Sequence, residues 1–249
     1  MKISFEIVPR SIEAFNDQYH FVESLGEAID IINVPDIQRF SIRSWQVQPQ
    51  IDTQRYQFLP HFRAIDFKID GGELFRIVEE YQLTQLLLVS GDPPEGLQRK
   101  FYNTDVVDLI KVLKQRYPEL KIFAGFDPHR QGLQDECEYI QRKIDAGVCG
   151  FFSQPFFDVR MIEVYAEQIQ GCETYIGLSP ITSLSSMQYW EVKNKVRFPS
   201  GFRPDYDWSI DFANQALAVA RQLDAHVYFM PIRIDLQRYF SALNLLKSA

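Results

Sequence analysis

Two carboxylates stand where apolar runs end, Glu6 in SFEIVP and Asp92 in LLLVSGDPPEG. A carboxyl enclosed by apolar neighbours, with no cation beside it, keeps its proton to unusually high pH. Glu6 could then act as a general acid near neutrality; the alternative is a glutamate salt-bridged to a lysine or arginine. Asp92 precedes Pro93, which favours an extended backbone and holds the carboxylate off the next helix. Ionised, Asp92 could accept hydrogen bonds from a heterocyclic amino group or stabilise a developing cation. Against this, Gly, Asp and Pro are the ordinary residues of a surface turn. Gln154, set among aromatics in FFSQPFF, has the donor and acceptor needed to read the edge of a heterocycle, or it ties two loops together. His61 in LPHFRAID could donate to a phosphate or polyol oxygen, or be a satisfied core histidine. Tyr189 and Trp190 in SLSSMQYW offer a stacking platform or simple helix packing.

Such groups need elements that bring them to one place. Short apolar runs recur about every thirty residues, with helix-period segments between them. The strand-like runs are ISFEIV, IDIINV, YQFLPHF, QLLLVSG, KIFAGF, GFFSQPF, TYIGLSP and VYFMPIRI. Helical patterns include GGELFRIVEEYQ, DVVDLIKVLKQRY, ECEYIQRKIDAG, VRMIEVYAEQI and DFANQALAVARQL. Gly147 is expected to close the third of these. Strict alternation implies parallel strands, and eight units imply a single closed (β/α)8 barrel over residues 1–249. A doubly wound open sheet is the other candidate, but no G-x-G-x-x-G turn follows the first strand. In a barrel of this kind the active site lies at the carboxyl ends of the strands. Glu6, His61, Asp92, Phe126 to His129, Gln154 and Ser179 then share one mouth, and strand alternation turns Ser4, Glu6 and Val8 to the interior.

Composition narrows the partners. The formal net charge is −7, which argues against a nucleic-acid or acidic-membrane partner held by a basic surface. Three cysteines and four scattered histidines show no metal-ligand spacing, and the odd cysteine count suits a reducing, cytoplasmic setting. No signal-peptide pattern follows Met1, and no apolar stretch reaches membrane length. Strand six carries no lysine for a Schiff base, strands seven and eight lead into no Gly-rich phosphate loop, and metal hydrolysis lacks clustered ligands.

Six segments, in order, resemble the methylenetetrahydrofolate reductase family: SFEIVP, PHFRAID, LLLVSGDPPEG, FAGFDPHRQ, RKIDAGVCGFFSQPFFD and GLSPITS; the resemblance covers most of the chain from residue 2 to about residue 200. The resemblance implies a TIM-barrel oxidoreductase of one-carbon metabolism and methionine biosynthesis. It would be a flavoprotein in which NADH or NADPH reduces FAD and 5,10-methylenetetrahydrofolate then accepts the hydride. Carried over, Glu6 is the general acid that helps open the folate ring and Asp92 sits by flavin and pterin. Gln154 contacts folate, and Trp190 falls where the family stacks an aromatic on folate or nicotinamide. His61, Phe126, His129 and Lys143 match flavin-contacting positions. A homo-oligomer is the expected assembly, with a partner subunit as the alternative.

Departures cluster on the flavin side. The family's arginine before Gly-Asp is Ser90 here, its second-strand threonine is replaced at Pro35, an aspartate is replaced by Glu136, and the FDPHRQ loop is shorter. Weak FAD binding follows, unless Arg39, Arg43 or Arg63 compensates. Three other readings stay open: direct hydride transfer from NAD(P)H without flavin, a folate-binding accessory subunit, and another one-carbon or methyl-transfer enzyme reusing the pterin pocket.

Overall fold

The computed structural model describes residues 1–92 and 100–245. Pro93 and Pro94, expected to extend the chain past Asp92, lie outside the described residues. Eight parallel strands close in sequence order: β1 (Ile3–Glu6), β2 (Ile31–Val34), β3 (Gln57–Arg63), β4 (Gln85–Val89), β5 (Lys121–Phe126), β6 (Gly150–Pro155), β7 (Glu173–Leu178) and β8 (His226–Phe229). Every expected strand-like run supplies one of them. The ring is sealed where β1 pairs with β8, with Ser4 opposite Tyr228. The architecture is therefore a (β/α)8 TIM barrel.

Helices α1 (Ile12–Ser24), α2 (Gly72–Glu80), α3 (Val106–Arg116), α4 (Leu133–Asp145), α5 (Val159–Gln168), α6 (Leu184–Lys193), α7 (Tyr206–Gln222) and α8 (Leu236–Phe240) surround the strands. Their starts are chemically marked. Asp105, Asp158, Ser183 and Asp205 each accept a hydrogen bond from a backbone N–H of the following turn, satisfying donors that a helix leaves open. Gly147 ends α4 at a φ of 102°. The β2–β3 crossover departs from the pattern. It carries a 3-10 helix at Ser44–Gln50 with Pro49 inside it, because proline supplies no N–H to an α-helical ladder.

Two apolar layers result. Phe5, Ile32, Phe62 and Leu88 face outward, where the helices cover them. Residues of the opposite strand parity fill the barrel, among them Leu59, Leu87, Phe123, Phe152, Tyr175 and Tyr228. Phe152 stacks on Tyr175 at 4.1 Å between ring centroids, and Tyr228 meets Phe152 edge-on at 5.2 Å. This aromatic filling leaves the chemistry to the carboxyl-end mouth.

One irregularity matters there. The β6–β7 register shifts between Phe152 and Pro155, and the Gly177 N–H donates to Ser153 Oγ at 2.7 Å. A Cβ on Gly177 would lie 2.5 Å from Ser153 O and 2.9 Å from Gln154 O, both of them backbone atoms that cannot yield cheaply. We expect Gly177→Ala to lower the unfolding midpoint and to displace Gln154. Over-packing of this kind costs about 1–3 kcal/mol. An unchanged denaturation curve would contradict this role.

Candidate active site

A cavity of about 450 Å³ opens at the carboxyl ends of the strands, within the size range of small-molecule sites. Of the residues expected there, Glu6, His61, Ser90, Asp92, Phe126, Lys143 and Gln154 line it.

Glu6 ends β1 on the interior face. The hydroxyl of Tyr228, on the neighbouring β8, donates to Glu6 Oε2. Burial pushes the Glu6 carboxyl up to about 7, while the tyrosine hydrogen bond pulls the other way and recovers only part of the rise. Glu6 forms no ion pair in the described residues, so the salt-bridged alternative has no support there. A carboxyl that gives up its proton near neutrality is a competent general acid. We expect Tyr228→Phe to raise the Glu6 pKa further, because the lost bond favoured the carboxylate. The alkaline limb of any Glu6-dependent activity should move to higher pH, and a pH–rate profile with an unmoved limb would exclude this coupling.

His61 is buried on β3, with Nε2 bonded to Asn33 Oδ1. Asn33 Nδ2 donates in turn to Ser4 Oγ at 3.4 Å, so the amide orientation assigns the His61 proton to Nε2. Burial pulls the imidazole down to about 3, which leaves it neutral at working pH. His61 is thus the satisfied core histidine weighed above, with one edge at the cavity.

Asp92 is exposed at the rim, and Arg63 Nη2 donates to its carbonyl oxygen. Gly91 before it has a φ of 82°, and a Cβ there would sit 2.8 Å from Arg63 Nε. The close approach requires glycine. Gln154 is likewise exposed, carried outward by the β6 irregularity.

Other lining residues include Lys143 and Ser90, which the resemblance matches to flavin-contacting positions. Lys143, 3% exposed on α4, donates to Gly125 O at 2.6 Å and lies 3.8 Å from the Tyr139 ring centroid. Burial lowers its ammonium to about 8. Ser90 Oγ meets Tyr139 OH at 3.2 Å. Glu136, buried, accepts from the Asp127 N–H at 2.9 Å and from Gln131 Nε2 at 2.8 Å, which pins the β5–α4 loop. Arg130, on that loop, is exposed at the same cavity.

Several expected residues lie outside this lining, among them Ser179, buried with its hydroxyl donating to Met230 O at 3.0 Å, and Pro128, which borders an adjoining depression. Trp190 is buried at 5% among Phe157, Ile181 and Val196, outside the cavity lining, so the packing alternative describes its surroundings. His129 borders an adjoining depression and shares a hydrogen bond at 2.8 Å with Pro155 O. Two of the three arginines expected to compensate are engaged. Arg43 pairs with Asp36 and with Asp66, at 3.0 Å from the latter, and Arg63 is committed to Asp92 and Asp66. Sequence reasoning passed over Tyr228, Asn33, Tyr139 and Arg130. Period-2 alternation on β8 and β2 could have found the first two; nothing local marks the others.

Comparisons with known proteins bear on the fold and on the family. Solved structures with the same fold include 2,3-dimethylmalate lyase, a PEP mutase/isocitrate lyase superfamily member, at 9% identity and a TM-score of 0.59. Oxaloacetate acetylhydrolase follows at 8% and 0.60; each alignment covers 97% of this chain and 78% of the other. At such identity only the fold is shared. In sequence, the chain is 24% identical over 156 residues to 5,10-methylenetetrahydrofolate reductase of Pectobacterium carotovorum subsp. carotovorum and to that of Escherichia coli (strain K12). Each match covers 59% of this chain and 52% of the relative, so the chain spans about half the length of the curated relatives it matches. The family model described as "Methylenetetrahydrofolate reductase" matches residues 66–224, more than half of the chain, and the protein belongs to the methylenetetrahydrofolate reductase family.

Proposed function

We propose that this chain reduces 5,10-methylenetetrahydrofolate to 5-methyltetrahydrofolate with hydride from NADH or NADPH. The observation that carries the reading is Glu6: its carboxyl, held near 7 beside Tyr228, opens on the same cavity as Asp92 and Gln154. Glu6 protonates the nitrogen that leaves the one-carbon bridge as the ring opens. Asp92 and Gln154 bind the polar edge of the pterin, and neutral His61 keeps that end of the cavity free of a competing charge. The aromatic filling beneath Glu6 contributes to the burial that lets it keep its proton to near neutrality.

The residues present fit a flavin adenine dinucleotide in part. Phe126 and Leu87 offer apolar cover for a ring, and Lys143 with Arg130 provides positive charge at one wall. When bound, the flavin would relay hydride from nicotinamide to folate. A second reading, direct transfer from nicotinamide without flavin, is favoured by one contact: Ser90 stands at the family's arginine position and its hydroxyl is taken by Tyr139. Visible absorption of the purified protein separates the two readings. Methylenetetrahydrofolate-dependent loss of NAD(P)H absorbance tests both, and its absence, with or without added FAD, would overturn the proposed activity.

A further inference from the structure

Past β3 the chain meets the segment that follows β4, and two hydrogen bonds to backbone oxygens join them. The Ile65 N–H donates to Ser90 O at 3.3 Å, and Arg63 Nη2 donates to Asp92 O. Between these anchors Gly91 lies against the arginine. A Cβ there would stand 2.8 Å from Arg63 Nε and 3.0 Å from both Arg63 Cβ and Ile65 Cγ1. The path of residues 90–92 therefore follows one side chain. The guanidinium takes the carbonyl of Asp92 and not its carboxylate, which leaves the acid group to the cavity that Asp92 lines.

Arg63 is itself held from behind. Asp66 Oδ2 lies 4.0 Å from Arg63 Nη1, so one nitrogen of the fork faces Asp66 while the other reaches Asp92. The same Asp66 carboxylate accepts from Arg43 Nη2 at 3.0 Å and, through Oδ1, from Gln38 Nε2 at 2.7 Å. Arg43 also pairs with Asp36, whose side chain is fully buried and which follows the cavity-lining Pro35. The cluster thus ties the end of β2 to the ends of β3 and β4. Taking two carboxylates and two guanidinium groups out of water offsets much of their mutual attraction, so stability alone is a weak account of it. What the cluster does supply is fixed geometry, because a guanidinium is a planar, rigid fork.

We propose that Arg63 is a positioning residue, which acts through the Asp92 backbone to fix where the Asp92 carboxylate stands at the cavity. That this carboxylate meets a pterin rests on the proposed function; the tether itself does not.

Amide hydrogen exchange followed by NMR reads the tether without any ligand. In Arg63→Met the Ile65 amide should exchange about tenfold faster or more, the equivalent of one lost charged hydrogen bond. The reference is the Val227 amide, which donates to Lys2 O at 3.1 Å where β8 meets β1 and reports opening of the barrel as a whole. Turnover reads the consequence. Arg63→Met should lower kcat/KM for 5,10-methylenetetrahydrofolate by about tenfold or more, since small misplacements at a site are expensive in rate. In the Asp92→Asn background the same change should cost no more than about a further twofold, because Arg63 then has no carboxylate to position. A merely structural loss would multiply with that of Asp92→Asn. Arg63→Lys keeps a cation beside Asp66 but lacks the fork that serves two partners; it should fold as wild type and show both signatures at smaller size, which keeps the test independent of folding. Ile65 exchange that is unchanged relative to Val227, or losses that multiply in the double variant, would overturn the proposal. A wild-type protein that turns over no folate, with Ile65 exchange still governed by Arg63, would instead refute the proposed activity and keep the tether.

Discussion

Glu6→Gln is expected to abolish folate reduction while sparing whatever reduction by NAD(P)H precedes it. Proton donation is needed in the folate step alone, and general acid catalysis contributes about 10²–10⁴-fold. The glutamine keeps the size of Glu6 and can still accept from Tyr228, so the loss should appear in turnover rather than in folding. Stability supplies a second readout. The carboxyl rises from 4.5 to about 7 on folding, so between these values the folded state binds more protons than the unfolded chain. The wild-type protein therefore loses stability as pH climbs through that window, by at most about 3 kcal/mol. The variant has no such proton to lose, so its stability relative to wild type should grow between pH 4.5 and 8. Unchanged folate turnover, or parallel stability curves for the two proteins, would sink the assignment of Glu6.

The second large effect concerns Ser90. Restoring the family's arginine with Ser90→Arg should tighten FAD binding, because a guanidinium can make charged, paired contacts to a phosphate that a hydroxyl cannot. One charged hydrogen bond contributes about 1.5–3 kcal/mol, or roughly ten- to 150-fold in affinity. The substitution also frees Tyr139 from its contact with Ser90. Wild-type protein should bind FAD weakly in a fluorescence-quenching titration, since Arg43 and Arg63 are occupied by Asp36, Asp66 and Asp92. Tight stoichiometric binding by the wild type would show that Lys143 and Arg130 already suffice. An unchanged or weaker affinity in Ser90→Arg would show that no phosphate passes this wall.

Much of the molecule was legible in the order of its residues. Apolar runs separated by helix-period segments determine eight parallel strands, because hydrogen-bonding geometry and burial act locally and repeat. The interior placement of Ser4 and Glu6 followed from the period of two along β1, and the shared rim of Glu6, Asp92 and Gln154 followed from strand ends. What the sequence could not decide was the company each side chain keeps. Tyr228 lies 222 residues from Glu6, and only closure of the barrel makes β8 the neighbour of β1. Trp190 has the right type for a stacking platform, but the packing of α6 buries it against Phe157. Strand periodicity is a property of neighbours along the chain; pKa values and ion pairs depend on neighbours in space, which tertiary contact alone supplies.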